Sequence, residues 1–335
     1  MIGESDAMRR VTARLRQVAP LDTTVLLTGE SGTGKELAER LLHDDHPKRK
    51  NGPFVCLHAG AIPDTLLESE LFGHVRGAFT GAERDHVGKL EQANGGTLFL
   101  DEISTMKPDA QIRLLRVLQE RKVTRVGSQE ARPVDVRVIV ASNQPLKNLV
   151  DAGTFRLDLY YRVSTFPVTL PTLRERAGDI LPLVEYFSQC TAARLQLAEP
   201  KHFSPESLQA LSLYPWPGNV RQLENAVEYA CIVSDERDTI RPEDLPEEIH
   251  SVLNAPPALP PGLVVTEQGL SFRTAVSNLE RELILQSLRL ADGNKARAAE
   301  LLELKRTTFL EKLKRLEDEG MISEVQPDWP VAAEA

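Results

Sequence analysis

The sequence predicts an α/β fold with a parallel sheet, followed by a helical segment and then by an all-α module. Short apolar runs alternate with amphipathic helices up to about residue 170, and helices that join strands in this way produce parallel sheets. Helical spacing of apolar residues then dominates from residue 179 to residue 234. Residues 254–262 are rich in proline, which has no backbone N–H to donate in a helix or a sheet. We therefore expect a semi-rigid linker there.

The first strand leads directly into a glycine-rich loop. Between the apolar run at residues 25–28 and the helical spacing that begins at Glu36 stands the loop Gly29-Glu30-Ser31-Gly32-Thr33-Gly34-Lys35. Glycines let successive backbone N–H groups point at phosphate oxygens, and a helix N-terminus adds positive potential. Lys35 would neutralise the β- and γ-phosphates, whereas Glu36 stands where a Ser or Thr hydroxyl normally contacts Mg²⁺. The pattern predicts nucleotide binding; the alternative is a strand-to-helix turn without nucleotide.

A hexapeptide of small residues around one phenylalanine follows, Gly77-Ala78-Phe79-Thr80-Gly81-Ala82. Glycine tolerates backbone angles that other residues avoid, so this run predicts an exposed loop rather than a helix. A phenylalanine displayed at a loop tip costs solubility, which indicates a partner that receives it. The alternative is a surface turn whose Phe79 packs back on the core.

Two acidic residues end the next buried strand. The apolar run at residues 97–100 leads into Asp101 and Glu102, and α/β sheets build their sites at the carboxyl ends of strands. Asp101 suits the hydration shell of Mg²⁺, and Glu102 suits the polarisation of an attacking water. Taken alone, such a pair is as typical of a helix N-terminus. Its combination with the loop at Gly29 favours an ATP site.

Polar residues after a third strand extend the predicted site. The strand at residues 136–141 ends at Ser142 and Asn143, where a polar side chain could report the state of the γ-phosphate. Arg156 and Arg162 lie six positions apart, and guanidinium groups from a neighbouring subunit stabilise the charge that develops in phosphoryl transfer. The alternatives are an ordinary end-of-strand turn and a solvated helix with surface arginines.

Three helices are predicted near the C-terminus, in a helix-turn-helix pattern. Apolar residues recur at helical spacing over residues 272–290, and Asp292 and Gly293 form a helix stop. Asn294 caps a second helix at residues 295–302, and a break at residues 303–304 precedes a third at residues 306–316. Glu303 stands in this break. The left-handed conformation costs a residue other than glycine about 1–2 kcal/mol, so we expect a slightly altered turn.

The third helix carries a local excess of positive charge. Phosphate contacts would come from Lys305, Arg306, Lys312, Lys314 and Arg315, and contacts with base edges from Thr307 and Thr308. The long first helix indicates a dimer, and hence a palindromic site with half-sites about one or more helical turns apart. The alternative is a three-helix packing module that contacts no DNA.

Composition limits the class of protein. The 335 residues leave room for two or three domains, and the net charge of −9 argues against general coating of nucleic acid, so DNA contact requires the local basic patch. Cys56, Cys190 and Cys231 lack metal-like spacing, which fits a reducing cytosol. No apolar stretch reaches the ~20 residues of a membrane span and no signal peptide opens the chain, so we expect a cytoplasmic protein without membrane contact.

Together these motifs resemble those of the σ54-dependent transcriptional activators, also called bacterial enhancer-binding proteins. The resemblance runs from about residue 2 to about residue 235 and resumes in the C-terminal helices, which resemble a Fis-type module. It rests on the hexapeptide GAFTGA, on ELFGH at residues 70–74, on GGTLFLDE at residues 95–102 and on WPGNVRQLEN at residues 216–225. It implies an AAA+ P-loop parallel sheet with a helical lid, a ring that is typically a hexamer, and ATP bound between subunits.

The resemblance also implies roles for individual positions. Asp101 and Glu102 would serve Mg²⁺ and the attacking water, while Arg156 and Arg162 would act in trans as arginine fingers. Asn143 resembles the first sensor, Arg221 resembles the second sensor in the lid, and residues 126–130 resemble a second loop that moves with the first. The implied nucleotide-binding residues are Gly29, Glu30, Ser31, Gly32, Thr33, Gly34, Lys35 and Glu36, and the implied σ54-contacting residues are Gly77, Ala78, Phe79, Thr80, Gly81 and Ala82.

One position departs from the family pattern, because His58 stands where relatives usually carry an asparagine that restrains the catalytic glutamate. Histidine donates a similar hydrogen bond but adds a proton that titrates near neutrality. We therefore expect Glu102 to remain restrained and hydrolysis to depend more strongly on pH. The alternative is a satisfied histidine at a strand end, without catalytic influence.

These predictions combine into one domain plan and one function. We expect an ATPase subdomain at residues 1–170, a lid at 171–248, a linker at 249–268, a helix-turn-helix domain at 269–320 and a tail at 321–335. The protein would bind enhancer DNA, form a ring and use ATP hydrolysis to remodel the σ54–RNA polymerase closed complex. The alternatives are a DNA-binding regulator that does not engage σ54, and an ATPase that remodels another target.

Little sequence precedes the phosphate loop, which begins at Gly29. This leaves no room ahead of it for the receiver or ligand-sensing domain that many relatives carry. Two interpretations stay open. Either such a domain was removed from a longer protein, or a separate regulatory protein acts on the surface of the ATPase.

Overall fold

The computed structural model describes residues 3–235, 237–253, 271–291 and 293–318. The chain divides into two compact units, Met1–Asn254 and Ala255–Ala335. Most of the predicted linker and all of the predicted tail at residues 321–335 lie outside the described residues. Within the described ranges, no helix combines the length and the apolar character that crossing a membrane requires.

The first unit alternates helices and strands. Its helices are α1 (Asp6–Val18), α2 (Lys35–Asp44), α3 (Asp64–Phe72), α4 (Lys89–Gln92), α5 (Pro108–Glu120), α6 (Leu146–Asp151), α7 (Leu157–Val163), α8 (Ile180–Leu195), α9 (Pro205–Leu213), α10 (Asn219–Val233) and α11 (Glu247–His250). Its strands are β1 (Val25–Thr28), β2 (Phe54–His58), β3 (Thr97–Asp101), β4 (Lys122–Thr124), β5 (Ala131–Pro133), β6 (Arg137–Ser142), β7 (Phe166–Thr169), β8 (His202–Phe203) and β9 (Thr239–Ile240).

Five strands form one parallel sheet in the order β2-β3-β6-β1-β7. His58 at the end of β2 pairs in register with Asp101 at the end of β3. Thr28 at the end of β1 pairs in the same way with Ser142 at the end of β6. The sheet therefore brings the residues that follow these strands to one edge. The predicted parallel α/β fold is confirmed.

Side chains alternate between the two faces of the central strands. Leu98 and Leu100 of β3 belong to a hydrophobic core that includes residues of α3, α5 and α7, whereas Phe99 belongs to a second core with residues of α1 and α2. Helices thus cover both faces of the sheet, which explains why its strands are apolar throughout rather than alternating with polar residues.

A charged side chain is buried at the start of the central strand β6. Arg137 is 0% exposed, and its guanidinium donates to the carbonyl oxygens of Val18 at 3.0 Å, Ala19 at 2.9 Å and Leu42 at 2.6 Å. Burial lowers the pKa of Arg137 to about 10, which Asp22 partly opposes. Because these carbonyls lie at the C-terminal ends of α1 and α2, Arg137 joins both helices to the sheet.

The lid packs around a buried tryptophan. Trp216 is fully buried, and its indole Nε1 donates to the carbonyl oxygen of Leu211 at 2.8 Å. Residues of α8, α9 and α10 complete this core, together with Ile249 of α11. Helical structure continues in one 3₁₀ turn to Leu253, beyond the predicted lid boundary at residue 248, because Ile249 is held in the lid core.

Three helices make up the described part of the second unit, α12 (Phe272–Leu290), α13 (Lys295–Leu301) and α14 (Arg306–Asp318). Asn294 caps α13, because its Oδ1 accepts hydrogen bonds from the amides of Ala296 at 3.0 Å and Arg297 at 3.2 Å. Glu303 adopts φ of 54° before α14, so the turn keeps the left-handed conformation despite its side chain. The three predicted helices are therefore present.

Candidate functional site

A cavity of about 920 Å³ lies where the carboxyl edge of the sheet faces the lid. Ten residues that the sequence predicts for the site line it, namely Ser31, Gly32, Gly34, Lys35, Glu36, His58, Asp101, Glu102, Asn143 and Arg221. Arg156 lines a different concavity, with Leu157, Asp158 and Tyr161. The structure thus brings the phosphate loop, the acidic pair and both predicted sensors together, and it leaves the predicted arginine fingers elsewhere.

The phosphate loop, residues 29–35, turns through two left-handed glycines at the cavity. Gly32 has φ of 76° and Gly34 has φ of 103°, values that favour glycine. Lys35 Nζ donates to the carbonyl oxygens of Gly29 at 2.8 Å and Glu30 at 3.0 Å. Burial lowers the pKa of Lys35, and the nearby acidic pair opposes that shift. The lysine therefore folds over its own loop at the cavity.

One imidazole faces both acidic residues. His58 Nδ1 lies 3.4 Å from Asp101 Oδ2, and His58 Nε2 lies 3.7 Å from Glu102 Oε2. Asn143 Nδ2 donates to Glu102 Oε1 at 3.5 Å. Only a protonated imidazole carries two N–H groups, so it can donate to both carboxylates only when His58 is charged. The expected restraint of Glu102 has a geometric basis, and its effect on hydrolysis stays a prediction.

The carboxylate of Glu102 occupies a niche that exists because residue 60 is a glycine. A Cβ on Gly60 would lie 2.1 Å from Glu102 Oε2, which is far inside van der Waals contact. The φ of Gly60 lies outside the left-handed region, so its backbone would accept another residue. Space for the carboxylate is therefore the reason for this glycine. This role was not predicted from the sequence, where its signal was a glycine two residues beyond a strand end.

A buried carboxyl lies beside the cavity. Glu39 of α2 is 5% exposed, and its Oε2 has no hydrogen-bond partner in the described part of the chain. Burial raises the pKa of Glu39 to about 8, and the negative charges of Asp101 and Glu36 add to this shift. This carboxyl is therefore largely protonated at neutral pH. Its position in a helix gave no sign of burial in the sequence.

The predicted second sensor is paired within its own chain. Arg221 Nη2 lies 2.7 Å from Oε1 of Glu36, the residue that replaces the usual hydroxyl after the phosphate-loop lysine. Both side chains are exposed, and exposed ion pairs contribute at most about 1 kcal/mol. A phosphate that enters the cavity can therefore compete for Arg221 at little cost.

Both predicted arginine fingers are held by their own chain. Arg156 makes two hydrogen bonds with Asp158, from Nε to Oδ1 at 3.0 Å and from Nη2 to Oδ2 at 2.6 Å. This pairing holds the pKa of Asp158 below its usual range. Arg162 Nη2 donates to the carbonyl oxygen of Leu118 at 2.6 Å. Action on a neighbouring subunit stays a prediction and requires at least Arg156 to leave its partner.

The hexapeptide lies in a loop whose base is closed by two histidines. His74 and His86 exchange both backbone hydrogen bonds, at 3.1 and 2.9 Å, and nearer the tip the amide of Gly77 donates to the carbonyl oxygen of Ala82 at 2.8 Å. Phe79 is 38% exposed, and the edge of its ring packs on the imidazole of His74 with 4.9 Å between centroids. The side chain of Phe79 thus packs against the base of its own loop and does not enter the core.

The second loop, residues 126–130, packs against this base. The amide of Val75 donates to the carbonyl oxygen of Val126 at 3.1 Å, and the amide of Val126 donates to that of Gly73 at 2.8 Å. A Cβ on Gly127 would lie 2.7 Å from the side chain of Ala78, so a larger residue would push the loops apart. Coordinated movement of the loops stays a prediction, and the contact that it needs is present.

Two of the predicted DNA contacts are engaged inside the second unit. Lys312 Nζ lies 2.8 Å from Oε1 of Glu280 in α12, and the guanidinium of Arg315 also bonds to Glu280. The hydrogen bond from Lys312 is the main cause that lowers the pKa of Glu280. Sequence spacing placed both cations on α14 but did not indicate that an acid from another helix neutralises part of their charge.

The remaining predicted DNA contacts face solvent. Lys305, Arg306 and Thr307 are exposed at the start of α14, and Lys314 is exposed further along it. Thr308 is half-buried, which leaves less of its side chain to reach a base edge. The candidate DNA surface of the unit is therefore centred on the N-terminal end of α14, where a recognition helix contacts bases.

Models of three protein families match successive parts of the chain. Residues 1–169 match the Sigma-54 interaction domain, and residues 174–258 match an AAA+ ATPase lid domain. Residues 275–316 match the family described as bacterial regulatory protein, Fis family. The matched regions follow the order ATPase, lid and helix-turn-helix.

Characterised regulators are similar to the chain over nearly its whole length. The DNA-binding transcriptional regulator NtrC of Rhizobium meliloti (strain 1021) is 42% identical over 339 residues, which cover 94% of this chain and 69% of that protein. The transcriptional regulatory protein ZraR of Klebsiella oxytoca is 44% identical over 317 residues, which cover 94% of this chain and 68% of that protein. Both comparisons span the ATPase and the C-terminal helices.

Solved structures of NtrX from Brucella abortus are similar in fold as well as in sequence. The complex of NtrX with ADP has a TM-score of 0.72 and 35% identity, and the match covers 94% of this chain and 69% of that one. The complex of NtrX with ATP has a TM-score of 0.71 at the same identity and coverage.

Proposed function

Because this chain belongs to the family of σ54-dependent transcriptional activators, AAA+ ATPases with a Fis-type helix-turn-helix, we propose that it remodels the σ54–RNA polymerase closed complex through its GAFTGA loop, residues 77–82. In this proposal the chain binds enhancer DNA, assembles into a ring and draws the work from ATP hydrolysis. One observation carries the proposal. The unit that gathers a phosphate loop and an acidic pair on one cavity also presents Phe79 and Thr80 at its surface.

The cavity suits hydrolysis of ATP. Lys35 and the amides at the start of α2 would bind the phosphates, and Glu102 would orient the attacking water. That the relative NtrX was crystallised with ADP and with ATP supports a nucleotide in this cavity. Asn143 is within hydrogen-bond range of Glu102, so it would couple the γ-phosphate to the position of that carboxylate.

The acidic pair also fits Mg²⁺. Within the described residues, no group of three or more His, Cys, Asp and Glu side chains could hold a metal by itself. Mg²⁺ is commonly bound by one or two carboxylates together with substrate phosphates, and Asp101 at the cavity offers one. When bound, Mg²⁺ would neutralise charge that develops on the phosphates.

The surface around the predicted arginine fingers supports assembly with further copies of the chain. Leu157 is 53% exposed and Tyr161 is 68% exposed, and both line the same concavity as Arg156. Large apolar side chains next to an exposed guanidinium are typical of interfaces. If a neighbouring subunit covers these side chains, Arg156 and Arg162 would lie near the nucleotide that is bound to that neighbour.

The second unit supports DNA binding as a dimer. Val276, Leu279, Leu283 and Leu290 of α12 are between 37% and 66% exposed, and they follow one another at spacings of three, four and seven. Such a stripe is typical of the seam of a two-helix coiled coil. Pairing of two copies along α12 would present two α14 helices to a palindromic site.

The proposal is tested by the binding of purified σ54 on native gels, with and without ADP–aluminium fluoride. We expect a complex only with the trapped nucleotide. The complex should be lost in Thr80→Ala and kept in Thr65→Ala, which changes an exposed threonine of α3 in the same way. If protein that hydrolyses ATP forms no complex, the proposal is wrong, and an ATPase that remodels another target becomes the better interpretation.

A further inference from the structure

Three consecutive carbonyl groups of the phosphate loop accept hydrogen bonds from the lid. Asn219 Nδ2 donates to the carbonyl oxygen of Ser31 at 3.0 Å, and the backbone amide of Val220 donates to that of Gly32 at 3.0 Å. Arg176 Nη2 donates to the carbonyl oxygen of Thr33 at 2.9 Å. The donors come from two separate lid segments, so the contact is not a single local turn.

These bonds orient the amides that would bind phosphate. In a trans peptide the C=O of one residue and the N–H of the next point in opposite directions, and the described part of the chain contains no cis peptide bond. Fixing the carbonyls of Ser31 and Thr33 toward the lid therefore turns the amides of Gly32 and Gly34 away from the lid donors. Both of these glycines line the cavity.

Asn219 is the centre of this contact. Its Oδ1 accepts from the amide of Leu173 at 2.9 Å, while its Nδ2 donates to Ser31 and also to Glu30 Oε2 at 3.2 Å. Arg174 Nη1 donates to the same carboxylate oxygen at 3.1 Å. Asn219 is 0% exposed and has a left-handed φ of 51°, so one buried amide joins the loop to both lid segments.

The loop and the lid are in close contact at Gly32. A Cβ on Gly32 would lie 2.4 Å from the carbonyl oxygen of Gly218, which precedes α10. Arg176 is 4% exposed, so its hydrogen bond to Thr33 is also shielded from water. Buried hydrogen bonds that lose one partner are expensive, so the loop and the lid hold each other in one arrangement.

We propose that the lid is the template of the phosphate loop: Asn219 and Arg176 act as positioning residues that hold its peptides ready for the phosphates of a nucleoside di- or triphosphate. Movement of the lid away from the loop releases these carbonyls and lowers the affinity for phosphate. Through Asn219 and Arg176 the lid thereby controls nucleotide affinity, although neither side chain contacts the phosphates. This inference rests on the proposed ATPase function.

The test compares two asparagines of α10 in the full chain. Asn219→Asp keeps the shape and the acceptor for Leu173 but removes the donors to Ser31 and Glu30. Asn225→Asp makes the same change on an exposed residue. Titration calorimetry measures the Kd of ATP, ADP and adenosine. We expect Asn219→Asp to weaken ATP and ADP about tenfold or more and adenosine little, and Asn225→Asp to change none of them.

A second variant guards against misfolding of the first. Arg176→Met removes the donor to Thr33 while filling similar buried volume, and Arg10→Met on the exposed face of α1 is its control. The same selective loss of ATP and ADP binding supports the template. Equal weakening of all three ligands, or no change in either positioning variant, overturns it. If the wild-type chain binds neither ATP nor ADP, the proposed ATPase function fails as well.

Discussion

The imidazole of His58 lies between the carboxylates of Asp101 and Glu102, where it can restrain the glutamate. We expect His58→Ala to release Glu102, so that kcat for ATP hydrolysis rises up to about fivefold, because one hydrogen bond is worth about 1 kcal/mol. His58→Asn keeps an N–H donor and should stay close to the wild type. Steady-state assays of the three proteins measure kcat. An unchanged or lower kcat in His58→Ala would contradict this prediction.

Gly60 tests the same restraint without changing a charge. Gly60→Ala pushes the carboxylate of Glu102 out of its niche, so we expect kcat to rise up to about fivefold with KM for ATP nearly unchanged, because one hydrogen bond is worth about 1 kcal/mol. Gly178→Ala is the control, since a Cβ there meets nothing within 4 Å. Adding His58→Ala to Gly60→Ala should have little further effect. A lower kcat would show that the niche serves catalysis rather than restraint.

Glu39 links stability to pH. Its folded-state pKa of about 8 lies above the ordinary value of 4.5, so the folded protein binds more protons between these values and loses stability as pH rises through them. Glu39→Gln removes the titration and keeps the shape. We expect the variant to gain about 4 kcal/mol of unfolding free energy near pH 7.5 and almost nothing near pH 4.5.

Urea unfolding without nucleotide measures this difference. Glu185→Gln, which changes an exposed glutamate of α8, serves as the control and should leave the pH dependence of the wild type intact. Equal stability of the Glu39→Gln variant and the wild type at both pH values would mean that the buried carboxyl finds a partner when it ionises.

At the scale of the element, α14 carries exposed cations at its start and cations paired with α12 further along. Arg306 is exposed at its N-terminal end, whereas Lys312 is bonded to Glu280 of α12. We expect Arg306→Ala to reduce the slope of log K against log salt by about 1 on duplex DNA, because one phosphate contact is lost. Lys312→Ala should change that slope less and should lower the stability of the unit instead. Fluorescence anisotropy over a salt series measures the slopes, and equal slopes in both variants would refute the division.

At the scale of the whole molecule, patterns local in sequence predicted the fold. Apolar runs that end in Asp101 and Ser142 predicted strands whose carboxyl ends meet, and the register of the sheet brings them to one edge. Cap and stop signals around Gly293 and Asn294 predicted the helices of the second unit. The motif residues of the cavity could be predicted because they follow strands of a parallel sheet, whose carboxyl ends lie at the same edge.

The remaining features depend on contacts between segments far apart in the chain. Arg137 lies in a strand pattern, but its burial depends on the carbonyls at the ends of two helices. Gly60 matters because a carboxylate 42 positions later occupies its space, and Asn219 matters because it reaches Ser31. The period of a sequence reports which face of an element is apolar, not which atom of another element will meet it.

The closed base of the GAFTGA loop has a mechanical consequence. Bonds at His74, His86 and Val126 anchor the loop at three points, and Gly127 lets the second loop press against it. A loop held in this way at its base would not absorb a displacement there by bending. In the proposed function, a displacement produced inside the ATPase would therefore move Phe79 in the same direction, with little loss of amplitude.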